Sequence, residues 1–214
     1  PTGNYRSIQE ALDNAVAGDI VVVVPGTYKE MIQFRGRDIV LRSMNPANPN
    51  VVASTIIDAE GAGSVVTFAG SETAACLLTG FTIINGGTTN YGGGINGRDT
   101  MATIFSNVIR DNEANIGAGI YHCNGLIKSN VILENNAVRD YSKGGGLAGC
   151  DGLIQNNMIC KNTAILEGGG LFVCDGTLEN NTIVDNEGGV YGGGLSSCSP
   201  VRVMNNIIWG NTAA

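Results

Sequence analysis

Two short motifs alternate along the second half of this chain, and their joint spacing limits the available folds more than any other feature. A small-residue triplet followed by an aliphatic residue recurs at Gly92-Gly93-Gly94-Ile95, Gly117-Ala118-Gly119-Ile120, Gly144-Gly145-Gly146-Leu147, Gly168-Gly169-Gly170-Leu171 and Gly192-Gly193-Gly194-Leu195. Between these copies falls a second marker of the form Asn-x-Ile-x-x-Asn, at Asn107/Ile109/Asn112, Asn130/Ile132/Asn135, Asn157/Ile159/Asn162, Asn181/Ile183/Asn186 and Asn206/Ile208/Asn211. The aliphatics lie 25, 27, 24 and 24 residues apart. The asparagine markers slip with the same insertions, as one structural unit with loops of variable length would. Each unit holds three short apolar runs separated by Gly and Asn and shows no 3.6-residue period, so a coil of three strands is expected. Stacked coils pair strand on strand in parallel, about 4.8 Å apart, and bury one side-chain column per strand. Less regular strands at 31–34 and 65–68 extend the count to about seven coils.

Composition agrees and removes alternatives. Glycine fills 32 of 214 positions, about twice its usual share, without the strict every-third spacing of collagen. An apolar share of 43% is too high for a disordered chain, and no apolar run is long enough for a membrane helix. A formal net charge of −7 and the absence of basic clusters disfavour nucleic acid as a partner.

The opening segment differs from the repeats. Ser7 and Glu10 form a capping-box pattern, and Ile8, Ala11, Leu12 and Ala15 share one helical face before Gly18, so residues 1–19 are expected to carry a helix that plugs the tube formed by residues 20–214. The last coil, running into Asn211, Thr212 and Ala213, shows no such cap and is expected to stack on another molecule or on further chain. The asparagine units, together with the run from Tyr5 to Ala11 and from Gly18 to Tyr28, resemble the right-handed parallel β-helix proteins of the pectin-lyase-like superfamily. The resemblance implies an all-β, right-handed parallel β-helix with an N-terminal capping α-helix. It leaves function open, because lyases, hydrolases, tailspikes and adhesins share that scaffold.

The columns of the stack then carry the functional expectations. After each asparagine corner the repeated Ile points inward, and its neighbours point outward: Thr55/Ile57, Thr82/Ile84, Val108/Arg110, Val131/Leu133, Met158/Cys160, Thr182/Val184 and Ile207/Trp209. Ten of these fourteen are apolar, whereas the strand before the corner offers Lys128, Gln155 and Glu179. A dry strip of this length is expected to be an association surface for a second copy, unless loops cover it. Cys123, Cys150, Cys174 and Cys198 each follow the repeated aliphatic by three residues and so stack, with parallel Cβ vectors that oppose disulfide geometry. A buried thiol column is expected, with bridges or a thiolate metal site as alternatives. Asp99, Asn124, Asp151, Asp175 and Ser199 come next, opening tight turns whose following glycines are expected at positive φ. The stacked carboxylates Asp99, Asp151 and Asp175 are the place where calcium could bind.

Enzymes of the resembling superfamily work on the Gly-led strand face. Here that face offers Tyr91, Tyr121, Phe172 and Tyr191 as platforms for sugars, with His122, Arg98, Arg139, Asp140, Lys143 and Glu167 as its ionisable groups. No compact catalytic motif of a lyase or glycosidase is present among them. The expectation is therefore a secreted or cell-surface structural and adhesive module that associates with itself through the dry strip or the last coil. Binding or lyase-like degradation of polysaccharide is the alternative.

Overall fold

A turn residue interrupts every apolar run, so the strands are only two to six residues long, and stacking holds them. The computed structural model describes residues 5–87, 89–139 and 141–213, in which the chain forms a parallel β-solenoid of about seven coils. Sheet 1 has eight strands, from Ile20–Val23 to Arg202–Met204. Sheet 2 has eight, from Gly26–Lys29 to Ile207–Trp209. Sheet 4, the Gly-led sheet, has seven, from Ile32–Gln33 to Leu195–Ser196, and these number the coils 1 to 7.

Three strands per coil are expected from the sequence, and the structure adds a fourth from coil 3 onward. Sheet 3 consists of five two-residue strands, from Glu113–Ala114 to Thr212–Ala213, placed between the second asparagine and the next glycine triplet. Its inward residues are Ala114, Ala137, Ala164 and Gly188, too small to register as an apolar run. The larger sheets supply the core: Ile57, Ile83, Ile109, Ile132, Ile159 and Ile183 in sheet 2 and Leu41, Leu78, Ile104, Ile127, Ile154 and Leu178 in sheet 1 are all fully buried. Each such side chain contributes roughly 1.5–3 kcal/mol by burial.

Both asparagines of each marker form ladders. Asn157 Oδ1 accepts from the backbone N–H and amide of Asn130 at 2.9 and 3.1 Å, while Asn157 Nδ2 donates to the Ile127 carbonyl at 2.8 Å and to Asn181 Oδ1 at 3.1 Å. Asn107, Asn181 and Asn206 extend this column, and Asn112, Asn135, Asn162, Asn186 and Asn211 form a second one. These asparagines could themselves have taken the left-handed bend, but the preceding residue does so: Ser106, Ser129, Asn156, Asn180 and Asn205 have φ between 53° and 57°. The amide must point into the tube, so the bend falls on its outer neighbour.

The glycines after the aspartates also differ from expectation. Gly125, Gly152 and Gly176 are not left-handed; the positive φ falls earlier, at His122, Gly149, Val173 and Ser197. Gly152 is required because a Cβ there would collide with the Asn124 and Gly125 carbonyls of the coil before it. The third glycine of each of the first four triplets is held the same way by the following coil: a Cβ on Gly146 would lie 2.6 Å from the Gly170 carbonyl oxygen.

Helix α1 (Ile8–Asn14) sits where the capping box places it, with Ser7 Oγ accepting from the Glu10 N–H at 3.0 Å. It ends at Ala15, before Gly18, and buries Ile8 and Leu12 in the core. Glu30, which no sequence pattern marks, accepts from the backbone N–H groups of Ile8 and Gln9 at 2.8 and 2.9 Å. A second helix, α2 (Pro49–Ser54), has no counterpart in the sequence expectations and packs on the second and third strands of sheet 2. No helix among the described residues is long and apolar enough to cross a membrane.

Candidate functional site

Side chains on the outer surface of sheet 4 fall into three columns. Tyr91, Ile116, Lys143, Glu167 and Tyr191 form one by successive parallel bridges, and Asn96, Tyr121, Ala148, Phe172 and Ser196 form the next. The third is the left-handed column with His122, Val173 and Ser197. This register assembles two clusters separated by the small residues Ala148 and Gly149.

In the first cluster the rings of Tyr91 and Tyr121 stack with centroids 4.8 Å apart, and Tyr121 lies 4.2 Å from the His122 ring. His122 Nδ1 and Asp99 Oδ1 are 2.6 Å apart, and Asn124 Nδ2 donates to the same oxygen at 3.3 Å. Gly149 makes room for this arrangement, since a Cβ there would meet the imidazole. Burial raises the Tyr121 phenol above its ordinary value, with Tyr91, Asp99 and Cys150 adding to the effect, so the ring stays neutral.

In the second cluster Lys143 Nζ contacts Glu167 Oε1 at 2.6 Å and lies 4.7 Å over the Phe172 ring. Ser196 Oγ donates to Glu167 Oε2 at 2.7 Å. Burial alone would raise the Glu167 carboxyl, but the bonds from Lys143 and Ser196 outweigh it and hold the group below the usual carboxylate range. Asp99 and Glu167 are three coils apart, about 14 Å along the stack.

All four expected platform residues are therefore on this face, but Tyr191 stands apart at 62% exposure. Arg139 is exposed, and Asp140 lies outside the described residues. The His122–Asp99 pair is not apparent from spacing, because two extra residues in coil 3 shift Asp99 out of its expected alignment.

The aspartate column is a ladder of backbone caps. Asp175 N–H donates to Asp151 Oδ1 at 2.9 Å and Ser199 N–H to Asp175 Oδ1 at 2.6 Å, with Asn124 Oδ1 capping Asp151 at 3.1 Å. Among the described residues no three His, Cys, Asp or Glu side chains come close enough to hold a metal ion. The thiols of Cys123, Cys150, Cys174 and Cys198 are free, and each donates to the carbonyl two residues before it at 3.3–3.8 Å. Burial pushes the Cys123 and Cys174 thiols far up.

On sheet 2 the expected strip requires one correction. Ile57 pairs with Ile83 and is fully buried, so Ile56 and Asp58 are the outward residues of that row. The marker is absent there, which hides the one-residue shift. Helix α2 buries Thr82, whose Oγ1 donates to the Val52 carbonyl at 2.9 Å. Farther along the strip Ile84, Val108, Val131, Leu133 and Val184 are half-buried, Cys160 is buried, and Met158, Ile207 and Trp209 are exposed. Arg110, which lies on it, is paired with Asp111. Sheet 1 is less wet than expected, because two outward apolar pairs, Val40/Leu77 and Leu126/Leu153, flank Thr103 in the column beside Lys128, Gln155 and Glu179.

No family model, no curated protein and no solved structure matches this chain.

Proposed function

We propose that this chain is an adhesive module of an extracellular or cell-surface protein, built on a right-handed, pectin-lyase-like scaffold and binding an extended polysaccharide along sheet 4 without cleaving it. The observation that carries the reading is the cluster Tyr91, Tyr121, His122 and Asp99, where stacked rings stand beside a fixed polar pair. Aromatic rings pack against the C–H faces of sugars, and a carboxylate held in place accepts their hydroxyls. The commitment of Asp99 to His122 and Asn124 and of Glu167 to Lys143 and Ser196 supports binding over hydrolysis. Polysaccharide pull-down with wild type and Tyr121→Ala tests the reading, run with and without calcium. Binding weakened about tenfold in the variant is expected. Unchanged binding, or release of reducing or unsaturated ends, would overturn it.

The exposed residues Met158, Ile207 and Trp209 favour a second reading, in which sheet 2 associates with a second copy of the chain. Light scattering should then show oligomers that Trp209→Glu and Val184→Glu dissolve. A strictly monomeric wild type sinks it.

A further inference from the structure

The Gly-led strand of coil 3 is longer than its successor. Ile95 pairs with Ile120 and Thr100 with Cys123, so four residues in coil 3 lie opposite two in coil 4. The excess forms a bulge in which Arg98 and Asp99 are both left-handed, at φ 51° and 70°, a conformation that L-residues avoid. Bulges of this kind aim side chains. Asp99 turns to His122, and Arg98 turns to a notch of about 260 Å³ lined by Gln33, Arg35, Thr67, Phe68, Ala69 and Arg98.

Two arginines, Arg35 and Arg98, line this notch, and no carboxylate is among its described lining residues. The neighbouring acids are committed elsewhere. Asp13 bonds Arg35 at 3.1 Å and takes one of the five donors of that group. Glu72, 1% exposed, fills both carboxylate oxygens with the N–H groups of Gly36, Ala69 and Gly70 and the Thr100 hydroxyl. Asp99 Oδ1 is shared by His122 and Asn124. The Arg98 side chain is left without a hydrogen-bond or ion-pair partner among the described residues.

We propose that this notch binds a tetrahedral oxyanion, a phosphate or sulfate group carried by a ligand. A single guanidinium fork already satisfies the two oxygens of a planar carboxylate. Two forks approaching from coils 1 and 3, about 9.6 Å apart along the stack, fit a group with oxygens on both sides. Thr67 and Gln33, each with a polar side chain, also line it. The assignment is independent of the polysaccharide reading, since the anion can belong to any ligand.

Titration of the folded chain with inorganic phosphate, sulfate and acetate at constant ionic strength, followed by amide NMR, tests it. Phosphate, sulfate or both should give saturable shifts confined to Gln33, Thr67, Ala69 and Arg98, and the tighter of the two identifies the group. Arg98→Gln and Arg35→Gln, each verified as folded by its thermal melt, should each weaken binding by at least about tenfold. Shifts no larger than sodium chloride produces, equal affinity for acetate, or full affinity in both variants would overturn the assignment. Loss of polysaccharide binding with anion binding intact would strike only the other reading.

Discussion

Val173 shows how the stack overrides local preference. Every coil from 4 to 7 takes a left-handed residue before its cysteine, and the column accepts His122, Gly149, Val173 and Ser197 alike. A β-branched residue fits that conformation worst, at a cost of roughly 1–2 kcal/mol. Val173→Asn is expected to raise stability by about 1 kcal/mol, seen as a higher urea midpoint at unchanged slope. Nothing in the sequence marks this column, because its residue types share no property; only the neighbouring Asp-Gly and Asn-Gly pairs catch the eye. Glu72 was equally hidden. A carboxylate in a polar turn reads as solvated surface until the fold brings three N–H groups from two coils around it.

At the scale of elements, the asparagine ladders were the most legible part of the chain, since each rung needs the same residue at the same place in its coil. Their energetics are shared between rungs. Asn157→Leu would keep the volume and apolar burial but strip partners from the Asn130 N–H, the Asn130 amide and the Ile127 carbonyl. A loss of about 3 kcal/mol or more is expected in urea unfolding, because buried groups left unpaired cost about 1–3 kcal/mol each. Sheet 3 was illegible for the opposite reason, as alanines in two-residue strands leave no periodic trace. The functional face lay between these extremes. Tyr91, Tyr121 and Phe172 could be placed by counting from the triplets, but the coil 3 bulge broke the count where Arg98 and Asp99 acquire their partners.

The whole molecule should be alkali-sensitive. Burial pushes the Cys76 thiol up from 9.0 to about 12, and it also raises Cys123 and Cys174, while Cys198 is raised first by its bond with Cys174 and then by burial. A thiol with a raised folded value holds its proton longer in the native state than in the unfolded chain. The contribution to stability is complete below pH 9 and is lost as pH climbs from 9 towards 12. Urea midpoints measured from pH 7 to 11 should be level at first and fall steeply above 9. A flat profile throughout would show that the thiol column is not buried.

Because Asn181 makes for coil 6 the bonds that Asn157 makes for coil 5, each coil presents its successor with the surface that it received from its predecessor. A segment of one period is thus an interchangeable cassette. Excision of residues 157–180 would leave Asn130 facing Asn181 with every rung renewed, so recombination between repeats can lengthen or shorten the rod without a new fold having to be found.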